Sequence, residues 1–315
     1  MSATLTRDRS NEREPGRADA GYGWLGYGLI TLGTGLALLS LLGPLGFEVI
    51  DYLVSETLRN QTIGLDAVTL MLVAPIAAVT GVLALRRHPA APVLALGPAA
   101  YSVYMLVQYV VGPDYLQRPG NNERFFLIYL ALFVLAGLIG LRAWNAIDLK
   151  RVPAVPRARL LGRVLLPLAG LLVFARYLPL LLDAARAKPL GGDYTAGPTF
   201  FWTIALLDLG VGLPTLVATA VGLRRGRDWA AKALWTLVGW LGLVGPAVVG
   251  MATVMYVNDD PNASISPLAI MSGLAIALVA LAIFVFWPLR GRALRRSVPA
   301  THAAQRRPQL KEVRQ

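Results

Sequence analysis

The sequence predicts an all-α integral membrane protein, an eight-helix transmembrane bundle. Three observations favour this fold. Of the 315 residues, 56% are hydrophobic and only 15% are charged, a balance unlike that of soluble domains. The apolar residues form runs of about twenty, the length with which an α-helix crosses a hydrocarbon core of about 30 Å. The short alternating segments of a transmembrane β-barrel do not occur, so helices must span the bilayer.

Eight apolar runs, separated by short polar stretches, define the predicted spans. They cover residues 22–43, 64–85, 90–112, 125–143, 160–182, 199–223, 229–257 and 267–288. Residues 1–21 are polar, mixed in charge and poor in large apolar side chains, so we expect a disordered cytoplasmic tail there. The first four spans form one half, 22–145, and the last four form another, 160–290. A basic linker, 146–159, joins the halves, and a basic tail follows at 291–315.

Arginine and tryptophan mark one end of the spans. Arginines stand where the second, fourth, sixth and eighth runs end, and indole rings at the same level favour the membrane interface. The arginines are Arg86, Arg87, Arg142, Arg224, Arg225 and Arg290, and the tryptophans are Trp24, Trp144, Trp229 and Trp287. We interpret these residues as the inner ends of the helices.

The distribution of positive charge predicts how the chain is threaded. With both termini on one side, 24 of the 30 Lys and Arg residues fall in the segments on that side. Such a bias is typical of cytoplasmic loops. We therefore predict a multi-pass plasma-membrane protein with both termini cytoplasmic. The high content of Ala, Leu, Gly and Arg favours a bacterial inner membrane.

Two segments resemble each other and suggest an internal duplication. "GLDAVTLMLVAPIAAVTGVLALRR" at 64–87 and "LLDLGVGLPTLVATAVGLRRG" at 206–226 both run from Leu-Asp through a proline to Arg-Arg. Four helices per half is an even number, so the halves would be parallel repeats related by an axis along the membrane normal. Superposition should then place Pro44 over Pro179 and Asp66 near Asp208. Similar composition is the alternative explanation.

Several kinds of chemistry are excluded. The chain has no cysteine and two histidines, His88 and His302, so disulfides, thiolate metal sites and iron–sulfur clusters cannot form. No P-loop, dinucleotide fingerprint, HExxH or GxSxG motif occurs. We predict no cofactor, and no motif supports an enzyme class.

The net charge of +12 predicts partners at the membrane surface. The basic residues cluster beside apolar runs, as topogenic signals do, and form no separate basic domain, so we do not expect nucleic-acid binding. The predicted partner is the lipid bilayer. The basic tail either binds anionic lipid headgroups at the cytoplasmic face or is a solvated tail.

The outer loops are acidic, with two interpretations for the segment "YVNDDPNASISP" at 256–267. Its carboxylate, amide and hydroxyl oxygens suit a divalent cation. Its Asp-Pro and Asn residues also favour a turn, and it lacks the spacing of a calcium loop. We favour the turn. Asn60 and Asn262 stand in glycosylation sequons, which matter only in a eukaryotic secretory pathway.

Polar residues within the apolar runs predict the binding site. Asp66, Gln108, Arg176 and Asp208 form a layer in the outer half of the bundle, Asp208 about 9 Å deep. Tyr101, Tyr104 and Gln108 share a face of the third span at helical spacing. They are either inter-helix packing or the wall of a cavity. We predict that Arg176 holds Asp208, directly or through one water, with Gln108 or a third-span tyrosine as a further partner.

Three functions remain compatible with these residues. The first is a small-solute or ion carrier or channel-like protein with a polar pocket in the outer leaflet, because intramembrane ionisable residues often mark solute paths. The second is a non-catalytic assembly or sensory subunit bound to a protein partner, in which the polar layer is structural. The third is a membrane enzyme that uses outer-face carboxylates on a lipid-linked envelope substrate. We favour the carrier.

Overall fold

The predicted fold class is confirmed by a computed structural model, which describes residues 15–191 and 193–290. Eight helices in these ranges are long and apolar enough to cross a membrane, so the protein is a polytopic all-α membrane protein. We number them α1 to α8. They are α1 Pro15–Leu42, α2 Glu56–Leu85, α3 Ala91–Val111, α4 Asn122–Ala146, α5 Ala158–Ala185, α6 Pro198–Arg224, α7 Asp228–Val257 and α8 Ile265–Leu289.

Two helices, α1 and α2, begin about two turns before the apolar runs that predicted them. Helix α1 starts at Pro15, inside the predicted tail, while residues 1–14 and the basic tail at 291–315 lie outside the described residues. Helix α2 starts at Glu56 rather than at residue 64, and the Ser55 hydroxyl caps it by accepting from the Leu58 amide at 3.3 Å. Hydropathy detects the apolar part of a helix only, so polar first turns are missed.

Helix α7 is the centre of the bundle. Within each half the helices pack in the same order, α1 on α2, α2 on α3 and α3 on α4, then α5 on α6, α6 on α7 and α7 on α8. The halves meet where α7 packs on α2 and α3, and where α3 packs on α6. Helix α3 therefore contacts helices of both halves.

Glycines let α7 approach its neighbours closely. A Cβ atom on Gly64 of α2 would lie 2.2 Å from the carbonyl oxygen of Gly250 on α7. Further along α7, a Cβ on Gly239 would lie 2.8 Å from the Cα of Gly97 on α3. Transmembrane helices associate largely through such close packing of small residues, because lipid removes the hydrophobic drive between helices.

Three helices are interrupted by a π-helical segment that ends two residues before a proline. The segments are Thr69–Val73 in α2, Leu172–Tyr177 in α5 and Asp208–Gly212 in α6. Pro75, Pro179 and Pro214 follow them. Proline removes one backbone donor and crowds the carbonyl four residues earlier. The wider π turn accommodates this crowding, and such turns are frequent at functional sites.

The connections 43–55 and 112–121 interlock above the first half. The Asp114 amide donates to the Leu53 carbonyl at 2.8 Å, and the Asn121 amide donates to the Asp51 carbonyl at 3.0 Å. The Asn121 side chain accepts from the Asp51 amide at 2.9 Å and donates to the Val49 carbonyl at 2.8 Å. These loops form a fixed cover over the ends of α1 to α4.

The packing order is compatible with the predicted duplication, which stays a prediction. A two-fold axis beside α3 and α7 would exchange the α2–α7 contact with the α3–α6 contact, and both are present. Two local features differ between the halves. Helix α1 also packs on α4, and Pro44 lies beyond the end of α1 whereas Pro179 lies inside α5. Aligned on Pro75 and Pro214, Asp208 corresponds to Thr69, and Asp66 stands three residues earlier.

The eight spans of the described residues predict that the segments before α1 and after α8 share one side of the membrane, and the basic residues predict that this side is the cytoplasm. A reporter fused after Gln315, or inserted near Val155 in the linker between the halves, is expected to report a cytoplasmic location. Alkaline phosphatase and green fluorescent protein fusions measure this in opposite senses. A periplasmic signal at either position would contradict the predicted orientation.

Candidate functional site: two buried aspartates beside helix α3

Asp66, on α2, is a buried carboxyl group with neutral partners. Its side chain is 2% exposed. One oxygen, Oδ1, accepts from the Tyr109 hydroxyl of α3 at 2.7 Å and from the Ser40 hydroxyl of α1 at 3.4 Å. The other oxygen, Oδ2, is buried without a hydrogen-bond donor. Burying a carboxylate is costly unless its charge is compensated, so Asp66 is the strongest indication of a functional site.

A stack of three tyrosines lies beside Asp66, at the end of the bundle that carries the connections 43–55 and 112–121. The rings of Tyr52 and Tyr109 lie 5.3 Å apart, and those of Tyr109 and Tyr129 lie 6.0 Å apart and nearly parallel. Tyr52 comes from the connection 43–55, Tyr109 from α3 and Tyr129 from α4. The Tyr129 hydroxyl donates to Asn122 Oδ1 at 2.5 Å, and Asn122 Nδ2 donates to the Tyr109 carbonyl at 2.7 Å. The Asn122 side chain thus links the Tyr129 hydroxyl to the Tyr109 backbone and fixes their relative orientation.

A small cavity lies beside the stack, between α2, α3, α6 and α7. Its volume is about 20 Å³, which suffices for a single water molecule or a small ion. Polar side chains line part of it, and the apolar remainder includes Met105, Phe200 and Met251. The polar side chains are Tyr52, Gln61, Thr62, Gln108 and Tyr109. In this conformation the cavity excludes sugars, amino acids and other solutes of several heavy atoms.

Asp208, on α6, is the second intramembrane carboxyl group. Its Oδ1 accepts from the Tyr104 hydroxyl of α3 at 2.7 Å, and its Oδ2 accepts from the Tyr177 hydroxyl of α5 at 2.5 Å. Asp208 is the first residue of one π-helical segment, and Tyr177 is the last residue of another. The two interrupted helices therefore meet α3 at this carboxyl group.

The predicted contact from Arg176 to Asp208 stays a prediction, while Tyr104 and Tyr177 are observed hydrogen-bond partners of Asp208. Arg176 makes contacts of its own within the protein. Its side chain is exposed, and its guanidinium carbon lies 5.4 Å from the centre of the Tyr177 ring. Tyr177 is buried although Arg176 is exposed, because adjacent residues on a helix point about 100° apart. The expected third-span tyrosine is Tyr104.

The residues predicted to share a face of α3 contact two different helices. The hydroxyls of Tyr101 and Thr69 are hydrogen-bonded at 2.8 Å across to α2, whereas Tyr104 reaches α6. Thr69 and Asp208 both begin π-helical segments. Gln108 is 5% exposed and lines the small cavity, with its amide donating to the Tyr104 carbonyl at 3.4 Å. Five of the six predicted residues thus lie on α3 or contact it, and Arg176 lies beside Tyr177.

The acidic segment 256–267 forms a turn that fastens α7 to α2. The Asp260 carboxylate accepts from Thr57 at 3.2 Å, from Asn60 at 3.1 Å and from the Asn262 amide at 2.9 Å. Burial opposes the charge, but these hydrogen bonds more than offset it and hold the pKa of Asp260 below its ordinary value. Both carboxylate oxygens of Asp260, among those proposed for a divalent cation, are thus engaged within the protein. Asn60 is 3% exposed, so its sequon is inaccessible in the folded chain.

Sequence reasoning missed Tyr109 and Tyr177, which donate to the aspartates, and Tyr52 of the stack. Tyr109 follows Gln108 directly, Tyr177 follows Arg176, and Tyr52 lies in a loop. One signal in the sequence could have identified all three, namely that each is a tyrosine at about the same predicted depth as the aspartates. Which tyrosine faces which carboxyl group depends on the π-helical segments, because an extra residue in a turn rotates every later side chain.

The third predicted function, a membrane enzyme, requires carboxylates that act together at the outer face. Asp183 lies 3.8 Å from Lys188, and Glu48 lies 2.7 Å from Arg59. These carboxylates and Asp260 contact separate partners. No group of three or more His, Cys, Asp or Glu residues suited to a metal ion occurs within the part of the chain that is described.

No family model, curated protein or solved structure matches the chain. The functional assignment therefore depends on the geometry of the two aspartates. Both are contacted by α3, at Tyr109 and at Tyr104, one and a half turns apart.

Proposed function

We propose that the protein is a carrier of a small cation, with Asp66 as the principal binding group and Asp208 as a second group on the opposite side of α3. The observation that supports this most directly is the Asp66 carboxyl group, whose described partners are neutral hydroxyls. A buried carboxylate without a cationic partner is stabilised by taking up a proton or a cation. Intramembrane acids of this kind are a common feature of ion pathways.

The size of the surroundings supports an ion rather than a larger solute. The nearby cavity has a volume of about 20 Å³. The interlocked outer loops cover the tyrosine stack above it. The interruptions in α2 and α6 lie beside the aspartates, where such breaks often form ion and substrate sites in transporters.

Replacement of Asp66 tests the proposal. In lipid vesicles containing the purified protein, we expect the wild type to dissipate an imposed proton or alkali-cation gradient faster than empty vesicles. Asp66→Asn is expected to reduce this flux to the background rate, because the amide has nearly the same shape but cannot take up the charge. A pH-sensitive dye and ion-selective dyes inside the vesicles measure the flux.

Asp183→Asn is the matched control, since Asp183 stands at the outer end of α5 with its side chain 42% exposed. It should keep the wild-type flux. Equal flux from wild type and Asp66→Asn, with equal thermal stability, would contradict the proposal.

A non-catalytic assembly subunit is the second candidate. The observation that favours it is the tight closure of Asp208 by two tyrosines, together with α8, which packs mainly against α7 and exposes apolar residues such as Ile270 and Ile276. In this case the aspartates fix the helices, and the exposed face contacts lipid or a protein partner. Wild-type vesicles that behave as empty vesicles for every ion tested would favour this function.

A further inference from the structure

Helix α5 begins beside the end of helix α6, at the end of the bundle that the basic residues predict to be cytoplasmic. A Cβ atom on Gly162 of α5 would lie 2.7 Å from the Ala220 carbonyl oxygen and 3.0 Å from Arg224 Cγ, both on α6. The two helices are therefore in close contact there. Because both are spans that terminate at this end, the contact lies near the headgroup level of the bilayer.

Five exposed arginines lie within one helical turn of this contact along the chain. Two are on α5, on either side of Gly162, and three are at the end of α6. The Arg227 amide donates to the Gly222 carbonyl at 2.9 Å, and Gly226 has a φ of 67°, so the chain turns back over the last turn of α6 and keeps Arg227 there. The α5–α6 arginine cluster consists of Arg159, Arg163, Arg224, Arg225 and Arg227.

The positive charge of the α5–α6 arginine cluster is mostly uncompensated. Asp228 is the one carboxylate within three residues of a cluster arginine in the sequence, and no ion pair in the described part of the chain involves any of the five. Other basic side chains at this end of the bundle have partners in the protein. Arg151 lies 3.1 Å from Asp148, and Lys232 donates to the Trp144 carbonyl at 2.9 Å. The cluster therefore has the charge to bind an external anion.

Exposed apolar side chains continue from the cluster into the membrane-spanning part of both helices. Val164 and Leu171 of α5 are 52% and 58% exposed and lie seven residues apart, on one face of the helix. Val217 of α6 is 37% exposed. Trp229 packs over Gly222 at the level of the arginines, where indole rings favour the membrane interface. This surface is therefore amphipathic, with cations at the headgroup level and apolar side chains deeper.

We propose that the α5–α6 arginine cluster binds the headgroup of an anionic phospholipid, whose acyl chains lie along Val164, Leu171 and Val217. Guanidinium groups form bidentate hydrogen bonds to phosphate oxygens, and clusters of basic residues at span ends attract anionic lipids. In the described chain the first half of α5 packs mainly on α6, so the bound lipid fastens these two helices to each other. This site is separate from the two aspartates and does not depend on the proposed carrier function.

Lipid titration of the purified protein tests this site. In a neutral detergent, phosphatidylglycerol is expected to raise the unfolding temperature, and phosphatidylcholine at the same concentration should raise it much less, because its headgroup has no net charge. Arg159→Gln with Arg163→Gln, and separately Arg224→Gln with Arg225→Gln, should each lower the affinity for phosphatidylglycerol about tenfold or more. The temperature shift as a function of lipid concentration gives the affinity, and native mass spectrometry counts the retained lipids.

Arg86→Gln with Arg142→Gln is the matched control. It removes the same charge at the same end of the bundle, where α2 and α4 end and both arginines are exposed, and it should keep the wild-type affinity. Without lipid, all three double variants are expected to unfold at the wild-type temperature. If one of the two cluster variants does not fold, the other tests the same site from the opposite helix.

Three results would overturn the lipid site. The first is equal stabilisation of the wild type by the two lipids. The second is an equal loss of affinity in the control variant, which would show a diffuse attraction of lipid to the whole basic face. The third is stabilisation by glycerol phosphate as strong as that by phosphatidylglycerol at the same concentration, which would identify a free phosphate as the ligand.

Discussion

Gly64→Ala is expected to lower the free energy of unfolding by about 1–3 kcal/mol, and Gly64→Leu to prevent folded protein from accumulating. The added Cβ would lie 2.2 Å from the Gly250 carbonyl oxygen and 2.5 Å from the Met251 amide nitrogen. Both are backbone atoms of α7, so α2 and α7 must separate to admit the methyl group. Thermal unfolding in detergent and the yield of monodisperse protein measure the effect.

The control for this substitution is Gly137→Ala on α4, where no atom lies within 4 Å of the new Cβ. It is expected to unfold at the wild-type temperature or slightly above, because alanine is the better helix former. A Gly64→Ala protein as stable as Gly137→Ala would show that the α2–α7 contact is looser than described.

Asp208→Ala is expected to destabilise the protein more than Arg176→Ala does. Removal of the carboxyl group leaves the hydroxyls of Tyr104 and Tyr177 without their acceptor, at about 1–3 kcal/mol for each buried group left unsatisfied. A triple variant, Asp208→Leu with Tyr104→Phe and Tyr177→Phe, should recover part of the loss, because no orphaned hydroxyl remains. Chemical or thermal unfolding of the four proteins provides the comparison.

A dominant ion pair between Arg176 and Asp208 would give a different pattern. Arg176→Ala would then cost as much as Asp208→Ala, and the exchange of Arg176→Asp with Asp208→Arg would restore stability. Both results would support the predicted pair, and their absence would assign the support of Asp208 to the tyrosines.

The number and order of the helices could be predicted from the sequence because a bilayer demands long apolar runs, and a run of about twenty residues is visible without a structure. The start of α2 at Glu56 could not, since its first turns are polar and are stabilised by contacts with residues about 200 positions away, such as Asp260. The burial of Asn60 could not be predicted for the same reason, because its side chain donates to the distant Asp260.

The candidate site was predictable in part for a similar reason. Asp66, Asp208 and Gln108 stand out in apolar surroundings, and helical spacing places Tyr101, Tyr104 and Gln108 on one side of α3. Arg176 was predicted as a partner of Asp208, whereas Tyr177, one residue further along, was not considered. An ideal helix does not predict the orientation of those two side chains, because they lie in the π-helical segment Leu172–Tyr177.

The fastening of α2 by Asp260 affects how the protein is made. Asn60 and its acceptor are 200 residues apart, and a ribosome adding about 5–20 residues per second needs roughly 10–40 seconds to cover that distance. During this interval α2 is already synthesised while its polar outer turns have no intramolecular partner. Those turns must stay hydrated at the membrane surface, or be shielded by an insertion factor, until the seventh helix arrives. Translation that stalls within the last quarter of the message would therefore leave a half-assembled bundle exposed to membrane quality-control proteases.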